Sequence, residues 1–458
     1  MDSKPNPLRI LFFPHLAHGH MIPTVDMARL FARQGVKATI LSTQLNVPFF
    51  SKTIERDREL GFEIDVLVIK FPSMEAGLPE GIEVISSITS QEMGFKFFKA
   101  VSLLQQPLQR ILEDCRPDCL VADGMFPWGY GCCKEGWGTK AVPGIPDKIT
   151  MTRRQQPTEL RESGANVEIT NTTEKPWVTR RQQPTELRES GANVEITFPR
   201  TGTTYVEHYR KTLGRKSWHI GPLSLCNNNT EDKSQRGNAN DASIDRVKFL
   251  RWLDSKKHNS VLYICFGSVS WISAAQLNEI AKGIEESGLD FLWVLRKTNK
   301  DEDEWLPKGF DERMKGKGWI IRGWAPQVLI LDHEAIGGFM THCGWNSTLE
   351  GITAGVPMVT WPLSNEQFIN EKFITDILRV GVGVGAQEWS RWMEGKKLLV
   401  TKENVTKAIT EVMLGEEANN IRNRVSALKW MAKRAVEECG SSHSDLMALL
   451  DGLGLNSI

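Results

Sequence analysis

What most restricts the fold of this chain is an alternation, sustained over most of its length, between short apolar runs and amphipathic stretches. SVLYICFGS, DFLWVLR, GWIIRGW, IGGFMTHC and VPMVTWP read as strands, and SAAQLNEIAKGIEESG, NSTLEGITAG and NEQFINEKFITDIL as helices between or after them. Such runs have no polar alternation, so both faces of each strand must be buried. A parallel sheet covered by helices on both sides provides that. The N-terminal part repeats the pattern: the apolar run Leu8 to Pro14, then MIPTVDMARLFARQG with Pro23 expected in a first helical turn, then Val36 to Ser42, Phe62 to Phe71 and Cys119 to Ala122. The class is therefore α/β. At 458 residues the chain exceeds one compact core, and two doubly wound, Rossmann-like domains facing a cleft are expected.

The polar, Asn-rich stretch CNNNTEDKSQRGNANDASIDR, residues 226–246, has no periodic apolar face and is expected to be an exposed linker. It would separate an N-terminal domain, 1–225, from a C-terminal domain, 247–440, followed by a final helix in 441–458. One segment breaks the pattern: TRRQQPTELRESGANVEIT occurs at Thr152–Thr170 and again, unchanged, at Thr179–Thr197. Two copies cannot build a solenoid. The segment reads as a local duplication or a gene-model error, with a functional repeat the weaker idea.

The 56 basic residues equal the 56 acidic ones, which leaves no summed field for nucleic acid or an anionic membrane. Small molecules are the expected partners, and a monomer the expected state. The eight cysteines are scattered without a CxxC pair, as suits reduced, mostly buried thiols. The cluster Cys115, Cys119, Cys132 and Cys133 lacks the spacing of structural zinc. MDSKPNPLRILFFPHLAHGH holds its apolar run too briefly, among His and Pro, to be a signal peptide, and nothing approaches the ~18–20 apolar residues of a membrane span. A soluble, cytoplasmic protein is expected.

From Trp324 to Gln367 runs WAPQVLILDHEAIGGFMTHCGWNSTLEGITAGVPMVTWPLSNEQ. This passage closely resembles the nucleotide-sugar box of plant family 1 UDP-glycosyltransferases, which implies a GT-B fold and a UDP-sugar donor, UDP-glucose above all. The residue types suit that ligand. Trp324 can stack on a flat base, or be a core Trp at a strand end; Gln327 can bond the base edge or ribose. His342 ends a strand and Gly344-Trp345-Asn346-Ser347 opens a helix, directing backbone N–H groups and the positive helix end at a pyrophosphate. Asn346 and Ser347 could equally be a simple N-cap. Glu350, one turn beyond Asn346, can accept from a ribose diol. Glu366 and Gln367 follow the strand VPMVTWP, at the edge where open α/β sheets bind ligands, and the resemblance implies contacts to the sugar hydroxyls. Relatives usually have Phe-Ala before this pair; here Leu363 is followed by Ser364-Asn365. Ser268, after Gly267, can reach a phosphate or close a plain turn. The resemblance adds Gly19 and Ala325 to the donor set. Gly381, Gly383 and Gly385 alternate as in a strand, and GxGxxG is absent, so a dinucleotide oxidoreductase has little support.

Transfer to a hydroxyl requires a general base. In HLAHGHMIP, His20 lies between a strand end and a helix N-terminus, whose dipole favours a neutral, proton-accepting imidazole. With His15 and His18 it could instead mark a metal site, although no Asp or Glu lies close by in sequence, or it could be structural. Asp123, in DCLVADGMFPW, matches the family position of the carboxylate that holds such a histidine; alone it would read as a turn or N-cap aspartate. Helix N-termini, His342 and Ser347 can stabilise a departing diphosphate without metal. Direct displacement would invert the anomeric centre.

The resemblance covers Leu8 to about Trp137 and His219 to about Leu453, including AHGHMIP, LVADGMFPW, WHIGPLSLC, DSKK and ICFGS, with a shorter island at Val206–Tyr209 and RKTLGRKSW. It is nearest the subgroup that glucosylates flavonoids, triterpenoids and similar hydrophobic acceptors. Between Gly136 and Gly202 the chain departs from it, and the N-terminal sheet is expected to be short of about two strands, leaving unpaired edges. The alternative to a glucosyltransferase is a UDP-sugar-binding remnant with an incomplete acceptor domain.

Overall fold

The computed structural model describes residues 7–123, 125–126, 177–180, 192–195, 217–237, 246–268, 270, 272–295, 306–389 and 400–454. They divide into two compact units, one from the described residues up to 240 and from 432 onward, the other from those between 241 and 431.

The first unit is built on a seven-stranded sheet. Its strands are β1 (Arg9–Phe13), β2 (Lys37–Ser42), β3 (Ile64–Val68), β4 (Cys119–Ala122), β5 (Trp177–Arg180), β6 (Ala192–Glu195) and β7 (Ser217–His219), in the order β3-β2-β1-β4-β5-β6-β7. β1, β2, β3 and β4 pair in parallel, with Phe13 opposite Ala122. The apolar run Leu8 to Phe13 is buried from Ile10 onward because helices cover both faces. One of them, α1 (His18–Ala32), starts three residues earlier than its Met21 pattern suggests. Ala17 is extended at φ −138°, and its carbonyl accepts from His20 and Met21 N–H at 2.9 and 2.8 Å, so the turn closes there and Pro23 falls inside the helix. Phe12 meets Phe31 of α1 edge-on, with ring centroids 5.4 Å apart.

The expected shortage of strands is corrected: β5 and β6 continue the sheet. β5 runs antiparallel to β4, β6 antiparallel to β5, and β7 parallel to β6. An antiparallel return needs no crossover helix, so a short segment suffices where a parallel continuation would need a longer one. Thr179–Arg180 and all of β6 belong to the second copy of the duplicated segment. WVTR and ANVE carry Val and Thr, which suit strands, and backbone pairing asks nothing of their charged neighbours. The first copy lies outside the described residues.

The exposed linker is also corrected over its described part. Between Cys226 and Gly237 the chain is pinned against the sheet's helices: Asn227 is 2% exposed and Asp232 4%, and Thr230–Gln235 is a helix whose Asn229 cap accepts from Asp232 N–H at 2.8 Å. The partner is a charged cluster that the apolar pattern cannot show. Arg29 of α1, fully buried, donates to Asp57 of α2 (Ser51–Glu59) through Nε at 2.5 Å and to Asn227 through Nη1 at 2.6 Å, and lies 3.3 Å from Asp232. Arg236 Nε donates to Asp26 at 2.7 Å, and Arg56 pairs with Asp232. Residues 238–245 of the expected linker fall outside the described residues.

The C-terminal helix Ser441–Leu453 belongs to this first unit. Leu446, Leu449, Leu450 and Leu453 share one face and enter its core. Ser442 Oγ donates to Gly221 O at 2.6 Å, and Asp445 accepts from His219 N–H at 2.8 Å.

The second unit has six parallel strands: β8 (Val261–Cys265), β9 (Asp290–Leu295), β10 (Gly318–Arg322), β11 (Ile336–Thr341), β12 (Met358–Thr360) and β13 (Gly381–Gly383). Their order is β10-β9-β8-β11-β12-β13, so the winding reverses between β8 and β11, the point where such sheets hold ligands. The glycine-rich VGVGVG supplies β13, where a side chain on Gly381 would lie 2.5 Å from Met358 O. α3 (Trp345–Ala354) follows β11, and α4 (Gln367–Lys372) follows β12. Among the described residues no helix is long and apolar enough to cross a membrane.

Arg29→Ala would leave Asp57 and Asp232 buried beside a lost cation, and the expected loss is about 3–5 kcal/mol, measured by urea unfolding. Arg33→Ala, whose side chain is partly exposed, should cost no more than about 1 kcal/mol. Equal losses would refute the assignment of Arg29 as the centre of the cluster.

Candidate active site

In the first unit the parallel β1–β4 pairing places two loops side by side at the carboxyl edge of the sheet. Asp123 prolongs the ladder, its N–H donating to Phe13 O at 3.0 Å. His20 is the third residue of α1. Their side chains meet: His20 Nδ1 lies 2.8 Å from Asp123 Oδ2. Asp123 Oδ1 accepts from Met125 N–H at 2.9 Å, so the aspartate serves a turn with one oxygen and the imidazole with the other. Burial alone would raise the Asp123 pKa, but the charge and hydrogen bond of His20, with smaller help from His15 and Met125 N–H, bring it down to about 2. The carboxylate is thus ionised at neutral pH and accepts from Nδ1–H, which leaves Nε2 as the basic nitrogen. Gly19, beside His20, is exposed, and a side chain there would meet no protein atom within 4 Å.

The other two histidines of the motif have separate surroundings. His18 Nδ1 is 3.3 Å from Ser86 Oγ, and its ring meets Phe49 edge-on. His15 is buried among aromatic rings. Among the described residues no group of three or more His, Cys, Asp or Glu side chains could hold a metal ion.

In the second unit the reversal point brings the β8–β11 loops together around His342. Gly267, at φ +77°, and Gly344 flank its ring: a Cβ on Gly267 would lie 2.8 Å from the imidazole, and one on Gly344 2.5 Å from Nε2. Only glycine fits either place. Burial lowers the His342 pKa to about 4, and its Nδ1 has no hydrogen-bond partner among the described residues; nor has the buried Nε1 of Trp345. Gly344 is the N-cap of α3 and no side chain caps it. The capping alternative for Asn346 and Ser347 is therefore overturned: Asn346 is the second residue of the helix, and Ser347 the third. Ser347 Oγ instead accepts from Gln327 Nε2 at 3.0 Å, and Glu350 Oε2 accepts from the same nitrogen at 2.7 Å. Tyr263 OH, 3.3 Å from Gln327 Oε1, completes this group. Gln327, Ser347 and Glu350 are thus brought together along α3, beside its first turn, where backbone N–H groups and the helix dipole suit a phosphate.

Trp324 and Ala325 lie between β10 and the turn carrying Gln327, with Ala325 buried and Trp324 partly so. Ser268 is partly exposed beside Gly267. Glu366 and Gln367 stand at the start of α4. Gln367 Oε1 accepts from Leu363 and Ser364 N–H at 2.9 and 3.0 Å, which leaves its amide nitrogen as the donor for a ligand. Asn365 adopts φ +51°, a left-handed conformation that Asn tolerates. Asn370 ties α4 to the His342 loop through Cys343 O at 2.8 Å. Tyr263, Asn370 and the clearance role of Gly267 and Gly344 carry no local signal, because each acts on a residue distant in sequence.

The sequence profile described as UDP-glucoronosyl and UDP-glucosyl transferase matches residues 177–428. The chain is similar to a scopoletin glucosyltransferase of Nicotiana tabacum, 48% identical with 98% of each chain covered. It is also similar to an anthocyanin 3'-O-beta-glucosyltransferase of Gentiana triflora, 46% identical over 97% of this chain and 98% of that one. Among solved structures it resembles Glycyrrhiza uralensis UGT73P12, complexed with glycyrrhetinic acid 3-O-monoglucuronide, at a TM-score of 0.83 and 34% identity, covering 98% of this chain and 96% of that one.

His342 stays neutral in the fold down to about pH 4 but takes a proton in the unfolded chain below about 6.5. Unfolding therefore takes up a proton in that window, and the stability His342 contributes is complete above it and lost as pH falls through it. Urea unfolding at about pH 7.5 and 4.5 should show an acid-side loss smaller by roughly 2–3 kcal/mol in His342→Gln than in the native chain.

Proposed function

Because the chain belongs to the UDP-glucoronosyl and UDP-glucosyl transferase family, we propose that it transfers glucose from UDP-glucose, with inversion, to a hydroxyl of a small hydrophobic plant metabolite such as a coumarin, flavonoid or triterpenoid. The observation that carries this reading is the 2.8 Å contact between His20 Nδ1 and Asp123 Oδ2 at the carboxyl edge of the first sheet. His20 Nε2 takes the proton of the acceptor hydroxyl as its oxygen attacks the anomeric carbon. The C–O bond to UDP breaks on the opposite face, giving a β-glucoside from the α-linked donor. Ionised Asp123 keeps Nδ1 protonated beforehand and offsets the imidazolium charge afterwards.

The second unit supplies the donor site in this reading. Trp324 stacks on the uracil beside Ala325, and Gln327 and Glu350 take the base edge and ribose diol. His342, Asn346, Ser347 and the first N–H groups of α3 hold the diphosphate, with Ser268 contacting its oxygens. The leaving group is then stabilised by donors already in place. Glu366 and the Gln367 amide contact the glucose hydroxyls. The relatives named above support glucose as the sugar and aromatic or fused-ring alcohols as acceptors.

His20→Ala should lower kcat by on the order of 10²–10⁴ while UDP affinity, measured by calorimetry, is unchanged. Asp123→Asn should lower kcat with little change in KM for UDP-glucose. Native protein given UDP-glucose with scopoletin, flavonols and triterpenoid aglycones should release UDP and form glucosides. UDP binding without either product would replace this reading with that of a donor-binding remnant.

A further inference from the structure

His15 has no part in the chemistry above, yet it occupies an expensive position. It follows β1 by two residues and is 1% exposed, and neither ring nitrogen has a hydrogen-bond partner among the described residues. Its neighbours are aromatic: Phe97 and Phe126 meet it edge-on at 6.4 and 5.8 Å between centroids, and Phe98 lies parallel to it at 6.3 Å. A phenyl ring would suit such a cage without the cost of burying two polar nitrogens unpaired. Among the described residues His20 also borders it, its ring edge-on with a centroid 5.5 Å away. The unpaired imidazole is thus held within one ring's breadth of the base.

Its cover is thin on one side. Phe97 and Phe126 are fully buried, but Phe98 is 40% exposed on the helix Gln91–Leu103. Among the described rings around His15, Phe98 is therefore the one whose outward turn would uncover it. Exposed aromatic side chains change rotamer in picoseconds to nanoseconds, far faster than turnover.

On the proposed role of His20 as the base, we infer that His15 is a specificity-determining acceptor contact: with Phe98 swung aside, it hydrogen-bonds an oxygen on the carbon adjacent to the reacting hydroxyl, so that acceptors bearing vicinal oxygens are favoured. Burial holds the ring neutral, with a pKa lowered to about 4, so it presents one N–H donor and one bare nitrogen. A neighbouring hydroxyl can donate to the second, and a carbonyl or ether oxygen can accept from the first. A lone hydroxyl engages His20 and leaves His15 unpaired, as it is now.

Binding tests this without requiring turnover. Esculetin, a vicinal dihydroxycoumarin, and umbelliferone, its monohydroxy counterpart, are titrated into UDP-loaded protein with tryptophan fluorescence as the readout. Esculetin should bind about five- to tenfold more tightly, the worth of one neutral hydrogen bond. In His15→Phe the preference should fall to near unity with umbelliferone affinity retained, and His15→Asn should restore part of it. An unchanged preference in His15→Phe, or an equal loss for both ligands, overturns the inference. If His15→Phe does not fold, Phe98→Ala decides: diethylpyrocarbonate should label His15 faster than in the native chain, with esculetin and not umbelliferone protecting it. Unaltered labelling, or equal protection, overturns it as well. Absence of glucoside formation alongside a retained esculetin preference would count against the transferase reading alone.

Discussion

The parallel pairing of β1 with β4 is the constraint on which the rest of the first unit turns. With Phe13 opposite Ala122, the residues leaving both strands emerge at one edge, and the backbone bond from Asp123 to Phe13 holds them in step. A slip of one residue would send the aspartate to the other face of the sheet. Two residues 103 positions apart then meet without either loop making a special excursion. The second unit applies the same rule: β8 and β11 pair in parallel up to Cys265 and Thr341, and the loops beyond them enclose His342 between Gly267 and Gly344. In both units the side chains proposed for the chemistry leave neighbouring parallel strands at their carboxyl ends, where helix N-termini also gather.

Position along a strand does not fix rotation about a helix, and His20 depends on both. α1 carries His20 near its start and Arg29 two and a half turns later, on the opposite face. Arg29 bonds to Asp57 and Asn227 and faces Asp232, while Asp26, also on α1, receives Arg236. Against an apolar alternative of equal volume, a buried ion cluster stabilises little. Unlike an apolar face, however, it accepts only one rotation of the helix, because each guanidinium N–H must find its oxygen. The segment Cys226–Gly237 lies against α1 for this reason, and the same cluster sets the angle at which His20 faces Asp123.

The apolar runs made the strands legible, and the resemblance of local motifs to a known family pointed to His20, Asp123 and the group around α3, because local sequence carries both signals. Long-range pairing was not legible. Asn-rich, charged residues 226–237 read as solvent-exposed when the charges that bury them lie on helices some two hundred positions away. The polar duplicated unit hid one strand and half of another, since a strand inside a sheet needs backbone partners before it needs apolar side chains. Asn346 and Ser347 looked like a cap until the helix proved to start at Gly344. The side chains of Gln327 and Glu350, close to Ser347 only in the fold, then decide what the serine does. In each case the missing term was a partner distant in sequence.

Two imidazoles, one in each unit, share an unusual condition. His342 and His15 are both kept neutral by burial, and His342 Nδ1 and both nitrogens of His15 have no partner among the described residues. Buried polar atoms are ordinarily satisfied, so such exceptions mark places where a fold holds something in reserve. A donor or acceptor that is already desolvated and already oriented need not be stripped of water or turned when a ligand arrives, and it acts at full strength in a low-dielectric pocket. The cost falls on stability and is met elsewhere, by the apolar cores under both sheets. Marginal as native stability is, a chain that keeps two such groups beside the loops at the carboxyl edges of its sheets gives up stability there, which readiness to bind would explain.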